Sequence, residues 1–216
     1  VRIIEPIAGR PVVRIRLRPT RNFGAEAVCG RAGSHHLVFP VNDLEYRVTT
    51  DASLSALADQ CPIVLDQPLT FVLGPNQTIE ETPSVLAHSL LLETSNYWQD
   101  WVRTLAIPFD WQEEVIRAAI TLKLCTFEDT GAVLAALTTS IPEGPGSGRN
   151  WDYRYCWLRD SYFVIQALNR LGATRTMEAY LHFIDHIVAG STVNELQPVY
   201  SLAGSHDIEE RVVASL

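Results

Sequence analysis

No stretch of this chain is long and apolar enough to cross a bilayer, which takes about 20 residues. That excludes a spanning helix from the visible sequence. No basic leader followed by an apolar stretch is present either, but the chain opens at Val1 and its only methionine is Met177. The natural start is therefore expected to lie upstream, and the missing leader decides nothing about compartment. No run of Lys or Arg offers a surface that could track phosphates, which argues against nucleic acid. Cysteine is sparse. Cys29, Cys61, Cys125 and Cys156 form no C-x-x-C pair and have no His at zinc spacing. Small buried thiols in a reducing, cytoplasmic setting are the expectation, with neither disulfides nor a metal. Secretion stays open.

What is present is a chain of 216 residues, 47% of them hydrophobic, with a mean hydropathy of +0.05. That is enough for one large domain or two small ones with a real core. The 25 acidic residues outnumber the 17 basic ones, for a formal charge of −8. A neutral polyol ligand is compatible with this balance without being demanded by it.

Two regimes follow one another. Up to about residue 80 the pattern is β. Val13, Ile15 and Leu17 alternate with Arg14, Arg16 and Arg18, and Pro19 stops the run. Leu44, Tyr46 and Val48 alternate with Glu45, Arg47 and Thr49. Leu69, Phe71 and Leu73 repeat the pattern before the turn Gly74-Pro75-Asn76. Antiparallel strands with one solvated face, packed as a sandwich, are predicted. From about Thr82 the pattern is α. Thr82-Pro83 reads as an N-cap and first helical position, and Asp110 with Glu113 as a capping box for a helix ending near Leu124. A helix is predicted from Arg159 or Asp160 to Gly172, with Leu158, Tyr162, Ile165 and Leu168 on its apolar side. Another is predicted from Thr174 to Gly190, lined by Met177, Tyr180, Leu181, Ile184, Ile187 and Val188. From Glu195 no helix is legible before Ile208.

Between these helical stretches lies the most informative segment, Arg149 to Ser161: R-N-W-D-Y-R-Y-C-W-L-R-D-S. The turn-rich loop Pro142 to Gly148 leads into it, and such loops often carry function. Aromatic faces beside an Arg-Asp pair suit a sugar ring. Apolar C–H faces stack on the rings, while hydroxyls need donors and acceptors in fixed directions.

The segment Leu122 to Ser161 closely resembles glycoside hydrolase family 15, which contains glucoamylases, glucodextranases and microbial trehalases. The T-T-S-x-P-E loop, Thr138 to Glu143, and the W-D-Y-R-Y-C-W-x-R-D block carry the resemblance. Arg2 to Pro19 with Asn22-Phe23-Gly24, and Leu196 to Tyr200 with Gly204, resemble flanking segments of the family. The resemblance implies an α+β multidomain protein. Residues 1–80 would be an antiparallel β-sandwich lacking its amino-terminal part, 81–110 a helical linker, and 111–216 the start of an (α/α)6 toroid. Twelve toroid helices need well over 200 residues by themselves, at about 12 residues each. The chain is therefore expected to be the amino-terminal portion of such a protein, as a fragment, a truncated gene product or an incompletely retained chain, and inactive alone.

The family cleaves terminal α-glucosidic bonds with inversion, using one carboxylic acid on the leaving oxygen and one carboxylate on water. The resemblance places both glutamates downstream, so no catalytic residue is assigned within this chain. What it does carry over is substrate holding. Arg159 and Asp160 match the pair that grips the outer hydroxyls of the terminal glucosyl unit, a fork of donors beside a two-oxygen acceptor. Helix capping by Asp160 and a surface ion pair for Arg159 would explain the pair equally well from position alone. Trp157 and Tyr153 match aromatics near the same subsite, although packing at the helix entry competes closely for Trp157. Tyr155 is assigned to packing, and Trp151 and Asp152 to shaping the loop. Glu143 is given a structural role. His182 and His186, one turn apart, are assigned to a solvated face instead of a metal, and His35 and His36 to a surface turn. No cofactor is implied.

The expectation is thus a glycosidase segment acting on maltooligosaccharide, dextran or trehalose, with self-association left open. A non-catalytic carbohydrate-binding remnant is the alternative. A phosphorylase of the same architecture is disfavoured by the aromatic block.

Overall fold

The computed structural model describes residues 1–139, 141–190, 196–210 and 212. Two compact units are present, Val1–Asn96 and Tyr97–Glu210. The division falls inside the stretch expected to be a linker.

The first unit contains β1 (Arg2–Ile4), β2 (Val12–Val13), β3 (Thr20–Arg21), β4 (Glu26–Ala27), β5 (Arg31–Ala32), β6 (His36–Val41), β7 (Leu44–Thr50), the short helix α1 (Leu54–Ala58), β8 (Ile63–Val64) and β9 (Leu69–Pro75). Five strands form one antiparallel sheet in the order β1-β9-β7-β6-β5, and β2-β8 and β3-β4 form two-stranded ribbons. Among the described residues the strands are antiparallel as expected, but they form one principal sheet with small ribbons in place of two large packed sheets. The β6–β7 hairpin turns on Asn42-Asp43, with Asn42 at φ +53°, a conformation Asn tolerates better than most residues. One face of the sheet packs Leu37, Phe39, Val48 and Phe71 against Ala52 and Leu57.

Two strand expectations need correction. Of the Val13–Leu17 run only Val13 lies in a strand, at the end of β2. Ile15 and Leu17 still pack against the core while Arg14, Arg16 and Arg18 are exposed. The alternation correctly gave direction, but Pro11 and Pro19 flank the run and remove donors a ladder would need. In β7 and β9 the strict alternation breaks down. Val48, Thr49 and Thr50 are consecutively buried, as are Thr70, Phe71 and Val72, while Tyr46 and Leu73 are exposed. Both faces are covered at the sheet centre and neither at its end, a situation period-2 reading does not anticipate.

Helix α2 (Pro83–Arg103) starts where Thr82-Pro83 predicts, with Val85 N–H donating to Thr82 Oγ1 at 3.4 Å. Helix α3 (Gln112–Leu124) ends as expected, but its predicted capping box is absent. Trp111, not Asp110, is the N-cap, at φ +61° with no side-chain cap bond. The strands β10 (Ile141–Pro142), β11 (Asn150–Trp151) and β12 (Cys156–Trp157) precede α4 (Leu158–Arg170) and α5 (Thr174–Gly190), and β13 (Val199–Tyr200) follows. Gly172, at φ +81°, closes α4 as its composition predicts. The apolar side of α4 lies where predicted except at Tyr162, with Leu158 half-buried against the core. Ser161, Ile165 and Leu168 are buried, and Tyr162 is exposed and edge-on to Phe163. On α5, Thr176, Tyr180, Phe183 and Ile187 are buried, whereas Leu181 and Val188 face out.

Two cores hold this second unit. One joins Leu105, Ala119, Leu168 and Ala173, linking α3 to α4. The other joins Ala132, Val133, Cys156, Ile165, Tyr180, Phe183, Ile187 and Tyr200. Gly131, at φ +82°, allows the loop before Ala132 to touch α5. A Cβ there would lie 2.1 Å from the Ala179 carbonyl oxygen. Of the cysteines, only Cys156 is buried. Cys29 and Cys61 are exposed, which corrects the expectation of buried thiols, and all four are free. No described helix is long and apolar enough to cross a membrane. Glu195 and Ser140 lie outside the described residues, and Ile208 to Glu210 are not helical.

Candidate functional site

The aromatic block is held on both sides by backbone hydrogen bonds. On one side Ala135 N–H donates to Tyr155 O at 3.0 Å, Ala136 N–H to Tyr153 O at 3.1 Å, and Tyr153 N–H to Thr138 O at 2.9 Å. On the other side β12 pairs antiparallel with β13, Cys156 opposite Tyr200 and Trp157 opposite Val199. Leu158 N–H donating to Pro198 O at 3.1 Å extends that tie into the first turn of α4. The loop Pro142 to Gly148 is the end of a β10–β11 hairpin, in which Glu143 N–H donates to Arg149 O at 3.0 Å.

This frame sets the four residues singled out by sequence. Trp157 is the N-cap of α4, and Arg159 and Asp160 lie in its first turn. Arg159 Nη2 is 3.1 Å from Asp160 Oδ2, with side-chain exposures of 78% and 40%. Asp160 is well placed electrostatically, since the helix N-terminus favours a carboxylate. The Tyr153 and Trp157 rings lie 6.0 Å apart with planes tilted 38°. Tyr155 meets Trp157 edge-on at 6.4 Å. Tyr153, Trp157 and the Arg159–Asp160 pair thus occupy one short strand-to-helix segment. The chemistry available is that of recognition. A guanidinium fork and a carboxylate stand in the first helical turn, and half-buried rings precede them in the same segment.

Behind the same segment is an open hollow of about 310 Å³, lined by Leu134, Asp152, Arg154, Tyr155 and Leu202. Arg159 and Asp160 are not among its lining residues. Asp152 and Arg154 form a two-pronged pair, Arg154 Nε to Oδ1 at 3.0 Å and Nη2 to Oδ2 at 2.8 Å. Arg154 N–H also donates to Oδ1 at 3.0 Å. The guanidinium bonds hold the Asp152 carboxyl below the ordinary carboxylate range despite its burial. This agrees with a loop-shaping role for Asp152, whose carboxylate is already engaged by its own loop.

One residue that sequence reasoning passed over is Ser161. It is 1% exposed and its hydroxyl reaches Trp157 O at 2.8 Å, Val133 O at 3.3 Å and Cys156 Sγ at 3.2 Å. The available signal was a small polar residue at a position where the helical period places the core. His182 and His186 are both exposed on α5.

The profile of Glycosyl hydrolases family 15 matches residues 111–215. A trehalase of Thermoplasma volcanium is 27% identical over 217 residues, covering 98% of this chain and 34% of the relative. A trehalase of Thermoplasma acidophilum is 28% identical over 216 residues, covering 97% and 37%. A trehalase of Mycobacterium tuberculosis is 39% identical over 140 residues, covering 63% and 20%. The chain spans about a third of the length of the first two relatives. No solved structure matches it. The family profile lies across the strand-to-helix segment and its supporting helices, so residues 111–215 resemble glycoside hydrolase family 15, and the chain is similar to the two Thermoplasma trehalases along nearly its whole length.

Proposed function

We propose that this chain forms the sheet unit and first toroid helices of an inverting hydrolase for terminal α-linked glucose, with trehalose the foremost substrate. In this reading Arg159 and Asp160 hold the outer hydroxyls of the terminal glucosyl unit, and Trp157 and Tyr153 border the same sugar. The general acid and base are two glutamates outside these 216 residues, and none of the chain's own carboxylates takes either role. The observation that carries the reading is the Arg159–Asp160 pair in the first turn of α4, in the same strand-to-helix segment as the paired Trp157 and Tyr153 rings. The trehalase names of the relatives favour trehalose over maltooligosaccharide or dextran.

Catalysis by such an assembly depends on holding the glucosyl ring in a fixed register with the distant carboxylates. A two-oxygen acceptor and a rigid donor fork provide that register. Losing one set of charge-assisted hydrogen bonds is worth about 1.5–3 kcal/mol, or roughly 10- to 100-fold in affinity. Saturation-transfer NMR with trehalose tests the reading on the chain itself. Transfer is expected with the wild-type chain and a loss of that order with Asp160→Ala, at unchanged far-UV circular dichroism. Equal transfer to both proteins would reject the holding role. The purified chain alone is expected to release no glucose from trehalose, maltose or dextrin. Release would place the catalytic carboxylates among its own residues.

A further inference from the structure

Among the described residues of the helical unit, Ser161 is a buried polar group joined directly to the strand-to-helix segment. Its hydroxyl carries one proton and two acceptor sites. The proton goes to the Trp157 carbonyl at 2.8 Å, with the Val133 carbonyl at 3.3 Å as a longer second acceptor. Cys156 Sγ, 3.2 Å away and 0% exposed as a residue, completes the cluster as a donor to the serine oxygen. Ser161 therefore ties the last residue before α4 to the turn that carries Arg159 and Asp160, and anchors both to the loop at Val133. The helix has no side-chain N-cap bond, and its entry is fixed by the β12–β13 pairing, by the Leu158–Pro198 backbone bond and, from inside the first turn, by this serine. Tyr180 packs in the same core and interacts with the Ser161 hydroxyl. Burial pushes its phenol up to about 12, so it stays neutral and adds no charge to the cluster at ordinary pH.

We propose that Ser161 is a positioning residue: its buried hydroxyl, bonded to Trp157 O, Val133 O and Cys156 Sγ, sets the direction in which Arg159 and Asp160 meet a glucosyl unit. This rests on the substrate-holding reading above. The side chain touches no sugar and acts only through the turn. A buried serine that served stability alone would leave glucoside affinity unchanged whenever the fold survives. One that orients the turn changes affinity at constant fold.

The test is the trehalose affinity of the 216-residue chain, measured by NMR titration for wild type, Asp160→Ala, Ser161→Ala, Ser161→Cys, Cys156→Ala and the double variant Asp160→Ala/Ser161→Ala. Ser161→Ala is expected to weaken binding about tenfold. Ser161→Cys, which keeps a donor for the Trp157 carbonyl in a similar volume, is expected to recover most of that loss. The double variant is expected to lose less than the two single losses combined, because the serine works through the turn that carries Asp160 as well as Arg159. Cys156→Ala leaves the serine bond in place and is expected to bind within about twofold of wild type. If Asp160→Ala has no effect, or the wild-type chain takes up no trehalose, the substrate-holding reading falls and this proposal with it. If Asp160→Ala abolishes binding while Ser161→Ala binds as wild type, only the positioning role falls. Additive losses in the double variant, or a loss in Cys156→Ala as large as in Ser161→Ala, likewise overturn it. If Ser161→Ala does not fold, the comparison of Ser161→Cys with Cys156→Ala decides. Near-wild-type affinity in both supports the proposal, and weakened affinity in Ser161→Cys to the level of Asp160→Ala rejects it.

Discussion

Gly131 shows how a single missing methyl group can determine a local arrangement. Its φ of +82° is strained for any residue with a Cβ, and that Cβ would also lie 2.1 Å from Ala179 O, which belongs to a helix backbone that cannot step aside. The neighbouring Thr130 hydroxyl donates to Leu202 O at 2.7 Å, so the loop is held on both flanks. Gly131→Ala is expected to destabilise the helical unit by about 2–4 kcal/mol, combining the conformational penalty with overpacking. Urea unfolding followed by tryptophan emission measures it, and a change below about 0.5 kcal/mol would show that the contact is not rigid. At this scale the sequence was least legible. Glycine at 131 and serine at 161 look unremarkable in a list of residues, because their roles come from partners 48 and 28 positions away. Trp111 in a left-handed N-cap is the same kind of case, where composition favoured the polar neighbour.

Among the elements, α4 was legible to within two residues and α5 at both ends, because each carries a sustained 3.6 period and a glycine stop. The phase of α4 was legible as well, with Leu158, Ile165 and Leu168 facing the core, except that the buried Ser161 carries no hydrophobic signal and the exposed Tyr162 carries a false one. The β10–β11 hairpin was read as a loop because its strands are only two residues long and alternation needs more. The helices are also tied by polar contacts. Lys123 at the end of α3 bonds Glu128 Oε1 at 2.7 Å, and Tyr97 of α2 donates to the same oxygen at 3.0 Å. The Lys123 bond, then the Tyr97 bond, hold the Glu128 carboxyl below its ordinary value of 4.5. A depressed carboxyl stabilises the fold above its unfolded pKa and loses that contribution as pH falls through its folded one. Because Glu128 is 61% exposed, the effect is small, at most about 1 kcal/mol. Glu128→Gln is therefore expected to melt slightly lower than wild type at pH 7, with the difference closing as pH drops below about 4.5. A gap that persists at pH 2.5 would mean that the glutamate acts through packing and not through charge.

For the molecule as a whole, the sequence correctly gave a β-rich first part and an α-rich second, and placed the change of regime near Thr82. The structure puts the boundary at Asn96/Tyr97, within a continuous helix that no composition change marks. Each unit has its own apolar cluster, the one around Phe71 in the first and those around Leu168 and Tyr180 in the second. All five tryptophans, Trp98, Trp101, Trp111, Trp151 and Trp157, lie in the second unit. Their emission therefore reports the second unit alone. Phe71→Ala, a loss of about 3–5 kcal/mol in its own cluster, is expected to leave the tryptophan transition in place while far-UV circular dichroism shifts. Leu168→Ala is expected to move the tryptophan transition by about 2–5 kcal/mol. Equal movement of that transition by both variants would show that the units unfold together.

The pairing of β12 with β13 has a further consequence, for biosynthesis. Cys156 and Trp157 have their strand partners at Tyr200 and Val199, more than forty residues further along. A ribosome making this chain exposes the aromatic block well before those partners exist. Until Val199 and Tyr200 leave the exit tunnel, the Trp157 edge is an unpaired strand, open to any extended peptide nearby. Translation speed across residues 158–200, and chaperone cover during that interval, therefore govern how much of the newly made protein reaches its native state.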